Sequence, residues 1–196
     1  MRAAGPAACP SARGRTCSAS SAWKADPAAR CLIIGCGCRG AALARELAEL
    51  GHVIRGTTRD AGRAAELEAA GIEPWVGDPD RIATLARALE HVGVACVLLG
   101  SATGTGPQLE ALHGTRLRML MERTIDTTVR GFVYETAGSA PAELLRGGTA
   151  IVRAACEDAR IPYAMIEADP GDHERWLESA VRAVEAVLGE AGARAT

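Results

Sequence analysis

The sequence predicts an α/β protein: a doubly wound parallel sheet of about six strands with helices on both faces, three layers α/β/α. Three observations carry that prediction. From Cys31 onward, short apolar runs alternate with amphipathic stretches. Val94–Leu99 is apolar throughout, as a strand covered on both faces in a parallel sheet has to be. Most informative is Gly35-Cys36-Gly37-Cys38-Arg39-Gly40, which directly follows the apolar run Cys31-Leu32-Ile33-Ile34 and opens an amphipathic segment. Strand, G-x-G-x-x-G and helix in that order are the context of a dinucleotide-binding βαβ unit. Right-handed crossovers and this loop favour strand order 3-2-1-4-5-6, the Rossmann fold, with ligand at the carboxyl ends of the first and fourth strands, where the order reverses.

Each element has its own reason. Cys31–Ile34 is the first strand. Ala41–Leu50 is a helix with Leu43, Leu47 and Leu50 on one side, closed by Gly51. His52–Thr57 is the second strand, and Ala61–Ala70 a helix closed by Gly71. Ile72–Val76 is a short third strand, followed by a helix over Asp80–His91. After the fourth strand comes one long helix, Gln108–Thr127, and then a fifth strand, Gly131–Glu135, centred on Phe132-Val133-Tyr134. A helix over Thr149–Arg160, a sixth strand over Tyr163–Ile166 and a helix over His173–Leu188 complete the series. That last helix carries a stripe of Trp176, Leu177, Ala180, Val181, Val184, Val187 and Leu188 at helical spacing.

Residues 1–30 differ from the rest: Ala, Ser, Pro and Arg, one acidic residue (Asp26) and no periodicity. They read as a disordered tail, and both an organelle transit peptide and an over-long predicted start fit that composition. They lack the apolar centre of a signal peptide. Residues 31–190 form a single domain and 191–196 a short tail. The net charge of -2 gives no electrostatic case for nucleic acid or an anionic membrane. No apolar run approaches the roughly 20 residues of a membrane span. Of the 22 basic residues only Lys24 is a lysine, and the arginine and alanine bias suggests a GC-rich genome. The seven cysteines, Cys9, Cys17, Cys31, Cys36, Cys38, Cys96 and Cys156, have neither disulfide-framework nor zinc spacing. Small residues fit a crowded phosphate loop, no metal is expected, and cytoplasm is the expected location.

The three loop glycines have distinct expected tasks: Gly35 turns the chain out of the strand, Gly37 lets the backbone approach a pyrophosphate, and Gly40 lets helix and sheet pack closely. The helix amino terminus offers free N–H groups to the phosphates. An NAD site places a carboxylate at the end of the second strand; here the strand ends Arg55-Gly56-Thr57-Thr58-Arg59, and Asp60 reads as a helix N-cap. Arg59 can fork onto a 2′-phosphate with Thr58 adding a hydroxyl, so NADP (NADPH) is favoured over NAD. A flavin nucleotide is the less favoured third ligand. Cys38 lies in the loop, and Arg39 is a second phosphate partner. Asp78, in Gly77-Asp78-Pro79-Asp80, reads equally as an N-cap and as an acceptor for the adenine amino group. Ser101 follows the fourth strand, where small residues let a nucleotide lie across its end.

The residues Ile33 to Gly40, Gly56-Thr57-Thr58-Arg59, Gly77-Asp78-Pro79-Asp80, Phe132-Val133-Tyr134-Glu135-Thr136 and Ala159 to Ile166 occur in a telling order. In them the chain resembles the atypical or extended short-chain dehydrogenase/reductases, including NAD(P)-binding epimerase-like proteins, from Cys31 to about Asp169. The resemblance implies that Arg59 meets the NADP phosphate and that Asp78 contacts adenine. It also implies a Tyr-x-x-x-Lys pair, which is missing: Tyr134 and Tyr163 are followed four residues later by Gly138 and Glu167. The family's serine near the fifth strand is replaced by Glu135-Thr136.

Two readings of function remain. One is an NADP(H)-dependent reductase or epimerase-like enzyme on a small-molecule substrate, with Thr136, Tyr134 and Asp169 (and Ser101) as candidate catalytic groups. The other is a non-catalytic NADP(H)-binding redox sensor or regulatory module. Helices Gln108–Thr127 and Thr149–Arg160 form dimer surfaces in relatives, which makes a homodimer a candidate assembly.

Overall fold

The structure, a computed structural model, describes residues 28–195. Most of the expected amino-terminal tail, with Lys24, lies outside the described residues. Six parallel strands form one sheet in the order β3-β2-β1-β4-β5-β6. They are β1 Arg30–Ile34, β2 Val53–Thr58, β3 Glu73–Val76, β4 Val94–Val97, β5 Gly131–Glu135 and β6 Tyr163–Ile166. The central strand β1 pairs with β2 on one side (Cys31 opposite Ile54) and with β4 on the other (Leu32 opposite Ala95). The helices are α1 Cys38–Glu49, α2 Ala64–Ala69, α3 Gly106–His113, α4 Thr115–Ile125, α5 Ala142–Ala159 and α6 His173–Ala195.

Alternation along each strand divides the core in two. Cys31, Ile33, Val94, Cys96 and Val133 face α1 and α6 with Leu43, Leu47, Trp176 and Val184. Leu32, Ile34, Ala95, Val97, Phe132 and Tyr134 face α4 and α5 with Leu120, Met121, Val152 and Cys156. Both faces of β1, β4 and β5 are therefore covered, which is why their sequences are apolar without alternation. The α6 stripe is buried as its spacing predicts: Trp176, Ala180, Val184 and Val187 are all inaccessible or nearly so.

Four helices differ from expectation: α6 continues past the expected end at Leu188 to Ala195, through most of the expected 191–196 tail, and three others change more. In place of a helix over 80–91 the chain makes two 3-10 turns, Ile82–Thr84 and Ala86–Leu89. Side chains from the sheet explain this. Trp75 Nε1–H donates to the Thr84 carbonyl at 2.9 Å, and the buried Arg55 donates to the carbonyls of Ala88 (2.6 Å) and Glu90 (3.1 Å). These bonds take up carbonyl groups of the segment, and the tighter turn still buries Ile82, Leu85 and Leu89. The expected helix over 108–127 is cut into α3 and α4 at Gly114, whose φ of -116° and ψ of -99° are not helical. In the other direction, α5 begins at Ala142, seven residues before the expected Thr149, and runs through Gly147 and Gly148. A Cβ at Gly148 would strike the Tyr134 hydroxyl, so the glycine is required by packing. On the outer surface of α4, Met119 and Ile125 are exposed. Among the described residues no helix is long and apolar enough to cross a membrane.

Candidate functional site

The glycine loop leaves β1 at the point where the strand order reverses. Gly35 has φ +92°, a left-handed conformation, and a Cβ there would meet the Leu98 carbonyl oxygen at 2.5 Å; only glycine satisfies both demands. β2 anchors the loop: Gly35 N–H donates to Thr57 Oγ1 at 3.1 Å and Cys36 N–H to the Thr57 carbonyl at 3.3 Å. Gly40 backs onto the Gly35 carbonyl (3.0 Å from an ideal Cβ) and Ile33, which brings α1 close to the sheet. Gly37 is different in kind. A Cβ there would meet nothing within 4 Å, so the surface it leaves bare is open space. As the N-cap of α1, Gly37 has no side chain to cap the first-turn amides. An uncapped helix amino terminus beside an open, glycine-floored space fits a dinucleotide pyrophosphate.

This space is part of a cavity of about 490 Å³ across the carboxyl ends of β1, β2 and β4. Of the residues picked out from sequence, Gly35, Gly37, Cys38, Arg39, Gly40, Thr58, Arg59 and Ser101 all line it. Arg59 is exposed on its rim and forms no hydrogen bond or ion pair among the described residues. Asp60 is occupied: its Oδ1 accepts the Gly62 N–H at 2.8 Å, capping a 3-10 turn over Ala61–Arg63. The end of β2 therefore offers a guanidinium unpartnered among the described residues, beside the Asp60 carboxylate, which also lines the cavity and has one oxygen engaged by Gly62. Arg63, not singled out in the sequence, also lines the cavity and is held by Glu66 at 3.2 Å. Its spacing of four from Arg59, in the turn that Asp60 caps, is the signal that could have found it. Cys36 lies under the loop, and burial pushes its thiol up to about 11, so it stays protonated near neutrality.

Asp78 stands back from the cavity, to which its neighbours Pro79 and Asp80 contribute. Its Oδ1 accepts the Asp80 N–H at 3.0 Å in a local turn, and it caps no helix because none forms there. The other end of the cavity is apolar, with Leu98, Leu99, Leu109 and Leu112 beside Ser101, Thr103 and Gln108.

Of the candidate catalytic groups Ser101 lines this cavity, while Tyr134, Thr136 and Asp169 are not brought to it. Tyr134 points into the core between α3 and α5, where its hydroxyl meets His113 Nδ1 at 2.8 Å. Burial raises the tyrosine above its ordinary value and lowers the histidine below its own, so both are neutral. Thr136 donates its hydroxyl to the Ile166 carbonyl at 3.0 Å. Asp169 is exposed and accepts the Gly171 N–H in the turn before α6. What occupies the end of β5 is Glu135, fully buried. Its carboxylate accepts from Gly100 N–H (2.7 Å), Trp176 Nε1–H (2.9 Å) and Arg39 (3.2 Å). Desolvation pushes its carboxyl above the ordinary value, against the opposing pull of the Arg39 charge and the two N–H donors.

No family model and no curated protein matches the chain. Solved structures do. A short-chain dehydrogenase/reductase superfamily protein from Agrobacterium tumefaciens with bound NAD superposes at a TM-score of 0.56, 18% identity, over 69% of this chain and 48% of that one. UDP-glucuronic acid 4-epimerase from Bacillus cereus in complex with NAD gives 0.54 and 15%, over 69% and 55%. An anaerobillin reductase from Escherichia coli O157:H7 gives 0.50 and 18%, over 69% and 70%. The fold is a Rossmann fold. The chain spans about half the length of the first two structures. At these identities the shared feature is the architecture, and residue roles rest on the geometry above.

Proposed function

We propose that this chain binds NADP(H) in the cavity over the glycine loop, as the dinucleotide-binding unit of a reductase or epimerase-like protein acting on a small molecule. The observation that carries the reading is the pairing of an open floor at Gly37 with the unpartnered Arg59 on the rim. The loop amides and Arg39 would hold the pyrophosphate, Arg59 and Thr58 the 2′-phosphate, and Ser101 with the leucine-lined end the nicotinamide half. The bound nucleotide would supply hydride transfer, and the chain's part is to hold and orient it. Two of the similar structures carry NAD, which supports a nicotinamide dinucleotide; the preference for the phosphorylated form rests on Arg59.

A second reading, binding without chemistry, is favoured by one observation: Tyr134, Thr136 and Asp169 are all engaged elsewhere. Calorimetric titration of NADPH and NADH into wild type and Arg59→Ala tests the shared part. Tighter binding of NADPH, with that preference lost in the variant, is the expected result; failure of wild type to bind either nucleotide overturns both readings. NADPH oxidation across a panel of carbonyl compounds then separates enzyme from sensor.

A further inference from the structure

Glu135 is a buried carboxylate with three hydrogen-bond donors around it, and neither reading of the function uses it. It is fully inaccessible, yet its carboxylate receives hydrogen bonds from three separate elements. Gly100 belongs to the loop after β4, Trp176 to α6, and Arg39 to the first turn of α1. All three partners are donors. A carboxylate, which only accepts, can satisfy them together; an amide of the same shape has to turn its NH2 group toward one of them. The loop after β5 closes over the same spot. Ala140 N–H donates to the Gly100 carbonyl at 3.0 Å and Ser139 N–H to Ser101 Oγ at 3.4 Å, while Gly100 and Gly138 approach too closely for any Cβ.

Of the three donors only Arg39 also reaches the nucleotide cavity. Its guanidinium is held on one side by Glu135 and lies 5.4 Å from the centre of the Trp176 ring. The side chain is 28% exposed, and its Nε is buried without a partner among the described residues. The guanidinium is thus fixed through Nη2, its Nε is buried, and among the described residues no protein acceptor takes its Nη1 at the cavity wall. A long, flexible side chain immobilised before the ligand arrives loses less entropy on binding.

We infer that Glu135 is a positioning residue: with Trp176 it fixes Arg39 at the wall of the cavity for the dinucleotide phosphates and ties that wall to α6 and to the loop after β4. The inference rests on the dinucleotide reading and adds to it the group that sets the phosphate ligand.

The test is a double-mutant cycle on NADPH affinity, with wild type, Arg39→Ala, Glu135→Gln and the double variant titrated by calorimetry, and thermal unfolding measured in parallel. Arg39→Ala and Glu135→Gln are each expected to weaken binding about tenfold, the size of one charge-assisted contact. The double variant is expected to bind no more weakly than Arg39→Ala alone, because Glu135 acts through Arg39. A purely structural Glu135 would lower the unfolding temperature and leave the affinity unchanged, or would weaken binding equally with and without Arg39; either result overturns the inference. Should Glu135→Gln fail to fold, Arg39→Lys decides. It keeps the charge but loses the planar fork that serves carboxylate and phosphate together, so weaker NADPH binding supports the inference and wild-type affinity overturns it. Wild type that binds neither NADPH nor NADH refutes the dinucleotide reading itself, an outcome distinct from wild type that binds while Glu135→Gln matches it.

Discussion

At the β2 end of the cleft one charged group, Arg59, has no partner among the described residues, and at the β5 end Glu135 is saturated. Arg59 is exposed and unpartnered among the described residues beside the bare floor of Gly37, whereas Glu135 is buried among three donors drawn from α1, α6 and the β4 loop. The first arrangement leaves a charge at the cavity rim open to solvent. The second is a joint that holds the fold together and reaches the ligand only through Arg39. Polar groups at strand ends therefore divide here by what already satisfies them, and the candidate acids near β5 fall on the satisfied side.

The contrast can be broken at either end. The largest effect is expected at the joint. Trp176→Ala removes a fully buried indole together with its bond to Glu135, and loss of about 3–5 kcal/mol of unfolding free energy should appear in denaturant titration. At the open end, Gly37→Val should behave oppositely. The backbone there, φ -81° and ψ -158°, suits an ordinary residue and the added carbon meets nothing, so stability should be nearly unchanged. NADPH affinity should drop by about a hundredfold, equivalent to ~2.7 kcal/mol, because the side chain fills the pyrophosphate space. Wild-type affinity in that variant would move the ligand away from the loop.

The smallest effect is in pH. Burial raises the Glu135 carboxyl above its ordinary value, so between the two values the folded chain binds more protons than the unfolded chain. Unfolding free energy then falls as pH rises through that window, and this contribution is recovered as pH drops from neutrality toward the ordinary carboxylate range. Glu135→Gln has no such group, so wild type should gain on the variant as the medium is acidified. Parallel stability profiles would show that the three donors fully offset the desolvation.

Much of the open end was legible in the sequence because its residues are consecutive. Gly35 to Gly40 and Thr57 to Arg59 are two short strings, and the strand–loop–helix context fixes where each side chain goes. The strand order followed from the same unit and the handedness of crossovers. What was hidden depended on distant partners. The two 3-10 turns over 82–89 replace a helix because Arg55 and Trp75, from other strands, take their carbonyls. The cut at Gly114 and the extension of α5 through Gly147 and Gly148 reflect packing around the core, in the second case against Tyr134. Glu135 looked like a replaced serine, since nothing local shows that Trp176, 41 residues further on, completes its shell.

That separation bears on the order in which the molecule assembles. β1 to β3 can pair as soon as they are made, but β1 gains its second neighbour only with β4, 63 residues after its own partner in the register (Cys31 opposite Val94). The carboxylate at the tip of β5 waits longer still, with two donors in place and the third on α6. Until that helix docks, a buried charge is short of a partner. Docking of α6 therefore completes the donor set at the cleft's inner wall.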